Sequence, residues 1–461
     1  MDIKAVLRNV RNRGLKWTWG AFVGKRDFEK IKSDYSKYYI DRPFLNMNEE
    51  EKAVFFKEMS SFEKDLKKRS PHIYDEYLKD MKREYVKKLI PAAYAAAAKS
   101  SIDDKVIFME MGKNPSPSNH HISNVMKSEG KYDVHMTSLN IRSVSYLEFY
   151  ENALGFIKDM ATAKAVFLST ANDLMSHIDV RPETKVIQLW HGVGIFKKVG
   201  YSTIKSKQFG MSQKTREEYD QYKNYSYVTI AASEQSWIFE EAMNIDKDSG
   251  IIVPVGVAKT DVFYDHGYIK NAKQKLLAAF PQIGDRKIIL YAPTFRGEVE
   301  NAQAPDKLDV EAMAKALGDE YILLIKHHGL SKNIPPLPAG IKDSFAYDMN
   351  KTKTLNIEQL LAISDICITD YSSIAFEFAI MERPLIFFAY DLEEYIDERG
   401  LYYNYDEITP GPVCKTTEEM IDYISNIDSV FDRQRVIDFK TKHVNACDGH
   451  STERTIALIE Q

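Results

Sequence analysis

Five short segments combine groups that bind or move phosphate with the turns that would present them. Gln188–Gly200 reads QLWHGVGIFKKVG. An apolar run ends at Trp190, and His191 follows where the chain opens into a loop. Gly192 and Gly194 stand behind it, with Lys197 and Lys198 further on. Glycines let a backbone approach a ligand closely, and turn N–H groups favour anions. A neutral imidazole at such an edge can take a proton from an attacking hydroxyl. A core histidine closing a strand is the plainer reading of a lone His. The W-H-G-x-G pattern followed by K-K favours chemistry instead.

The other four segments also sit at expected strand ends. Leu290–Gly297, LYAPTFRG, turns at Pro293-Thr294. The Thr294 hydroxyl could serve a phosphate or a base, and Arg296 is a candidate anion contact. Leu323–Gly329, LLIKHHG, ends in Lys326, His327 and His328, a cation and two imidazoles suited to a pyrophosphate. No carboxylate or third histidine stands nearby at metal-ligand spacing, so no metal is expected. Ser364–Pro384, SDICITDYSSIAFEFAIMERP, runs a strand to Thr369, then Asp370 and a Tyr371-Ser372-Ser373 turn into a helix. Serine hydroxyls and free N–H groups there suit phosphates. Glu377, one turn in from Ser373, could accept from a ribose diol. Val255–Asp261, VGVAKTD, adds Lys259 as a further phosphate contact. Each has a bland alternative: a strand turn, an N-cap, a surface lysine. The five together weigh against it.

Short β-rich runs alternate with helical stretches to position these groups. Strands are expected at Val106–Met109, Tyr132–Met136, Ala165–Ser169, Lys185–Trp190 and Tyr227–Ala231. A second series is expected at Ile251–Val255, Lys287–Tyr291, Tyr321–Lys326, Ile366–Thr369 and Pro384–Phe388. Such alternation implies parallel sheets covered by helices. Two series suggest two Rossmann-like domains facing across a cleft, with ligands at the carboxyl ends of the strands. The division expected is a basic, helical extension over 1–100, an acceptor domain over 101–247 and a nucleotide domain over 248–461. The last helix is expected to pack back on the acceptor domain. Gly112, Lys113 and Asn119, after the first strand, are candidates for the acceptor side.

Composition bounds the rest. The chain has 461 residues, 44 % apolar and 28 % charged, which fits a folded multidomain protein. A net charge of -5 disfavours a nucleic-acid partner. Three cysteines, none in a C-x-x-C pair, exclude a disulfide scaffold and suit a reducing compartment. No signal peptide or spanning helix is read. The longest apolar run, Leu89–Ala98, is about half of what a bilayer needs. Met1–Lys30 carries eight basic against three acidic side chains, with Trp17 and Trp19 among them. Such a segment can lie on an anionic lipid surface or pack as a solvated helix face. Asn48, with Glu51 three residues on, is the expected cap of a charged helical region.

LWHG-x-G-x-x-KK-x-G, YAPT-x-RG, the strand-end K-H, ITDYSS-x-x-x-E, RP-x-x-F-x-x-YDLEEY, the RG and PGP that follow, and DGHSTER occur in this order. Together they resemble the CDP-glycerol glycerophosphotransferase family, teichoic acid primases and polymerases of the TagB/TagF type. The resemblance covers roughly residues 105–460. It implies an α/β fold of GT-B type and transfer of an alditol phosphate from a CDP-alditol to a lipid-linked polyol-phosphate or glycan acceptor, releasing CMP. No cofactor is implied. It implies a peripheral enzyme on the cytoplasmic membrane face, with self-association left open. His191 matches the base of the relatives and His327 a donor-phosphate contact. Pro293, Thr294, Ser372, Ser373 and Glu377 match the nucleotide-holding groups. Val193-Gly194-Ile195 departs from the T-P-L of many polymerases. Lys259 stands where the family has Arg, and Glu377 where it often has Asp. Glycerol and ribitol phosphate therefore both stay open as cargo. A GT-B glycosyltransferase using a nucleotide sugar is the rival reading.

Overall fold

The computed structural model describes residues 35–204, 212–298, 301–350, 352 and 354–461. The basic Met1–Lys30 segment lies outside the described residues. The chain divides into two compact units, Met1–Gln188 with Glu218–Ser226, and Leu189–Glu217 with Tyr227–Gln461.

The first unit opens with helices. Asn48 and Glu51 form the expected capping box, each side chain accepting from the other's N–H at 2.9 Å. This starts the helix Glu49–Arg69, which is followed by Pro71–Glu84, a π-turn at Tyr85–Leu89, and Ile90–Ala97. The long apolar run thus becomes a short helix, with Pro91 in its first turn, directly after the π-turn. Tyr77 is fully buried among Tyr35, Tyr39 and Phe62. Its hydroxyl donates to the buried Glu63, which also accepts from Tyr146 N at 2.8 Å. That bond ties the helical extension to the helix Tyr146–Met160.

Four strands of this unit run parallel: β1 (Asp103–Glu110), β2 (Asp133–Ser138), β3 (Ala163–Leu168) and β4 (Lys185–Gln188), in the order β2-β1-β3-β4. The order reverses between β1 and β3, the place where open α/β sheets present ligands.

The second unit contains β5 (Tyr227–Thr229) and β6 (Ile252–Val253), a parallel pair. The strand expected to open the second series therefore pairs with the last of the first series. A six-stranded parallel sheet follows: β7 (Lys287–Tyr291), β8 (Tyr321–Ile325), β9 (Ala346–Asp348), β10 (Ile366–Thr369), β11 (Leu385–Phe388) and β12 (Val413–Cys414), in the order β12-β11-β10-β7-β8-β9. β7 and β8 match the expected starts, whereas β9 and β12 carry too few residues to stand out as apolar runs. Alternate residues feed two cores. Ile288, Leu290, Leu324, Cys367 and Phe387 belong to one, and Ile289, Leu323, Ile325, Ile368 and Phe388 to the other. Burial on both faces explains why these strands read as unbroken apolar runs. The order reverses here between β7 and β10.

The turn after β6 packs against the C-terminal motif. Gly256 has φ +87°, and a Cβ there would lie 2.2 Å from Ala446 O and 2.3 Å from Ser451 Oγ. Asp261 accepts from Ser451 N at 3.1 Å and Thr452 N at 2.8 Å, so it caps the last helix, Ser451–Ala457. Arg454 donates to Val255 O at 2.9 Å. The last helix is thus tied to segments of the second unit.

Gly256→Ala combines overpacking with a backbone conformation that L residues avoid. Overpacking alone costs about 1–3 kcal/mol. Urea unfolding of this variant is expected to show a lower midpoint, corresponding to a stability loss of about 1 kcal/mol or more. An unchanged midpoint would mean that the DGHSTER turn yields freely.

Candidate functional site

Thr294 follows β7 and Asp370 follows β10, so the two stand on either side of the second reversal of strand order. Asp370 is 1 % exposed. Its Oδ1 accepts from Thr294 N and Thr294 Oγ1, each at 2.9 Å, and from Tyr371 N at 2.7 Å. Its Oδ2 accepts from Arg296 at 2.8 Å. Arg296 also donates to both Asp391 oxygens, at 2.5 and 3.1 Å, and lies over the rings of Tyr371, Tyr390 and Tyr395. A guanidinium held this way braces the two turns. Arg296, read as an anion contact, is committed to carboxylates, and Thr294 spends its donors on Asp370. Pro293 is buried beside them.

The His191 loop is seated on the turn after β10. A Cβ on Gly192 would sit 3.4 Å from Ser373 Oγ, and one on Gly194 would enter the Phe376 ring at 2.3 Å. Gly194 is therefore a packing requirement, Gly192 lies in close contact with the serine turn, and two sequence motifs meet through them. Ser372 and Ser373 are half-buried, and Ser372 Oγ accepts from Ile374 N at 3.4 Å. Trp190 takes φ 58°, left-handed and rare for a bulky residue, immediately before His191. Such backbone costs of order 1–3 kcal/mol and survives only where its surroundings impose it. The Trp190 and His191 rings lie 4.6 Å apart. Past the loop, Lys198 is exposed and its N–H donates to Gly400 O at 3.1 Å. Lys197 lies over the Tyr395 ring.

His191 is solvent-exposed as a residue, though protein crowds around its ring. Desolvation by the surrounding protein, and then the Lys259 ammonium, lower its pKa to about 4. The imidazole is therefore neutral at neutral pH, as a proton acceptor requires. Lys259 is 9 % exposed. Its Nζ donates to Glu377 Oε1 at 2.8 Å and to the His191 carbonyl at 3.3 Å. Burial opposes the lysine's charge, but Glu377 and Glu358 outweigh it and the pKa is raised. Glu377, expected to face a ribose, is 2 % exposed. Glu358 is 4 % exposed, and burial raises its pKa, with Lys259 opposing and Glu377 adding. The sequence reading did not include Glu358. An acidic residue in the first turn of a helix is ordinarily surface, and nothing local marks this one as buried.

His327 closes β8 and is 7 % exposed. Its N–H donates to Asn350 Oδ1 at 2.8 Å, and Asn350 Nδ2 lies 3.3 Å from its Nδ1. Asp348, at the end of β9, in turn accepts from Asn350 N and Nδ2. Burial lowers the His327 pKa, and Asp348 opposes this. His327, Asp348, Asn350 and Tyr291 line a cavity of about 280 Å³ with Asp306, Pro335 and Pro336. Lys326 instead turns to Met349 O at 2.9 Å. Asn350 and Asp348 were missed because β9 is only three residues long. Among the described residues, no group of three or more His, Cys, Asp or Glu is placed to hold a metal ion.

In the first unit, Glu110 at the end of β1 accepts from Ser116 N and Asn119 Nδ2, each at 2.6 Å, and from Ser169 Oγ after β3 at 3.0 Å. Asn119 is fully buried, so it supports Glu110. Gly112 and Lys113 are exposed, and Lys113 lines a separate cavity with Ser138, Asn140 and Asn152.

A family model described as CDP-Glycerol:Poly(glycerophosphate) glycerophosphotransferase matches residues 80–461. A teichoic acid poly(ribitol-phosphate) polymerase of Bacillus spizizenii is 33 % identical over 301 residues, covering 65 % of this chain and 47 % of that protein. The chain thus spans about half the length of that relative. A teichoic acid glycerol-phosphate primase of Bacillus subtilis is 32 % identical over 321 residues, covering 68 % of this chain and 79 % of the primase. The solved structure of the wall teichoic acid polymerase TagF shares the α/β fold with two parallel sheets. Its TM-score is 0.65 at 22 % identity, covering 84 % of this chain and 97 % of that one.

Two measurements check the geometry. The His191 imidazole, followed by NMR in the resting protein, is expected to titrate near pH 4 rather than near the usual 6.5. A midpoint at 6.5 would mean that neither desolvation nor Lys259 acts on it. Gly194→Ala must push the loop off Phe376. It is expected to broaden or shift the His191 resonance while the far-ultraviolet circular dichroism stays unchanged.

Proposed function

Because the chain belongs to the CDP-glycerol:poly(glycerophosphate) glycerophosphotransferase family, we propose that it moves glycerol phosphate or ribitol phosphate from a CDP-alditol to a hydroxyl of a lipid-linked teichoic acid or capsule-type acceptor, releasing CMP. The observation that carries this reading is a neutral imidazole, His191, on a loop seated against the Ser372-Ser373 turn.

In this reading the acceptor hydroxyl lies against His191. The imidazole takes its proton as the oxygen attacks the alditol-bearing phosphorus. The new acceptor O–P bond forms as the bond from that phosphorus to the bridging oxygen of CMP breaks, and CMP leaves with the electron pair. Charge growing on that leaving phosphate is met by His327 and by the Ser372 and Ser373 turn. Fixed donors of this kind stabilise a transition state without reorganising. Asp370 and Arg296 hold the turns that carry them. The GT-B designation belongs to the same reading, as does work at the inner face of the cell membrane on a lipid-linked acceptor. Among the described residues, no helix is long and apolar enough to cross a membrane. A surface-bound enzyme needs none.

The relatives named above include both a ribitol-phosphate and a glycerol-phosphate enzyme, so the donor is the first thing to measure. CMP release from purified protein is expected with CDP-glycerol or CDP-ribitol, dependent on a lipid-linked acceptor. Release from neither would refute the reading and move attention to nucleotide sugars. A general base is worth about 10²–10⁴ in rate. His191→Ala should accordingly lower kcat by at least about 10² while calorimetry finds donor affinity largely kept. A near-normal rate would remove His191 from the mechanism.

A further inference from the structure

Lys259 has the sequence signature of a phosphate ligand and the surroundings of something else. A lysine that binds phosphate must bring a free ammonium to an open site. Here the ammonium is nine-tenths buried and faces the carboxylate of Glu377 at 2.8 Å. A second buried carboxyl group, Glu358 on the helix Ile357–Ile363, acts on the same charge. The Cys447 thiol also acts on it. Opposite these, the lysine donates to one backbone atom, the carbonyl of His191. That carbonyl belongs to the residue after the left-handed Trp190 and before Gly192. A backbone in that state needs a restraint from outside the loop. The bond also spans the chain, joining the turn after β6 to the helix after β10 and to the histidine loop.

We propose that Lys259 is a positioning residue for His191: clamped by Glu377, it holds the His191 carbonyl and so fixes the loop that presents the imidazole, and it makes no contact with donor phosphate. This rests on the transferase reading above for its kinetic consequence, but not for its structural one. The same ammonium is the charged group that depresses the His191 pKa beyond desolvation. One buried charge thus holds the loop that carries the imidazole and adds to the desolvation that keeps it neutral. Arg has the same charge as Lys on a longer, planar head.

The experiment compares wild type, Lys259→Met and Lys259→Arg. Removing one partner of a buried pair can unfold a protein. Lys259→Met/Glu358→Gln, which also removes a carboxyl from the cluster, serves if the single variant does not fold. Three readings are taken: the His191 NMR titration, the calorimetric Kd for the CDP-alditol, and kcat from CMP release. In the Met variants the His191 midpoint should rise from near 4 toward 6.5, and kcat should fall about tenfold or more, as a displaced reacting group demands. Kd should stay within about threefold. Lys259→Arg should keep the low midpoint and recover part of the rate. A Kd weakened about tenfold or more would make Lys259 a phosphate ligand and overturn the proposal. An unmoved His191 midpoint would overturn it as well. If wild type itself releases no CMP, the transferase reading fails separately. The His191 titration, together with amide shifts at His191 and Gly192, still decides the positioning role.

Discussion

The second unit is organised around one buried carboxylate. Asp370 is almost fully removed from water and collects four donors: two from Thr294, one from Tyr371 and one from Arg296. An ionised carboxylate in that position is costly unless it is paired and hydrogen-bonded. Here the pairing welds the ends of β7 and β10 together at the point where the strand order reverses. Arg296 extends the weld to Asp391 and to three tyrosine rings. The turn after β10 is therefore rigid, and the glycine loop bearing His191 rests on it through Ser373 and Phe376. The first unit uses the same device at its own reversal, where Glu110 joins β1 to Ser169 after β3. Neutral donors suffice there.

This arrangement separates two kinds of polar residue that a sequence presents alike. Thr294, Asp370 and Arg296 face one another and serve rigidity. His191, Ser372 and Ser373 keep open faces, and His327 edges a cavity. The division follows from desolvation. A charged group at a strand end either finds a counter-charge within the fold or remains in contact with solvent and ligands.

Much of the framework was legible in the residues. Lys287–Tyr291 and Ile366–Thr369 stand out because both faces of those strands are buried, which leaves unbroken apolar runs between polar boundaries. The Asn48–Glu51 cap was legible because its chemistry is local. The motif positions were legible too, since parallel strands deliver their carboxyl ends to one edge. Partner choice was not. Lys259 meets a carboxylate 118 positions away, and Arg296 meets two at 74 and 95 positions. No spacing rule reaches that far, so both cations read as free. β9 and β12 escaped for a different reason: three and two residues carry no period.

The seating of the histidine loop also has a consequence for how the protein is made. Gly194 leaves the ribosome nearly two hundred residues before Phe376, the ring on which it packs. At about 5–20 residues per second, that is a wait of roughly 10–40 s. During it, Val193, Ile195 and Phe196 have no Phe376 to cover them, although all three are buried in the finished protein. The nascent chain thus carries an apolar segment whose partner has not yet been translated. Whatever shields nascent chains in the cell must cover this segment, which later carries His191, for that whole interval.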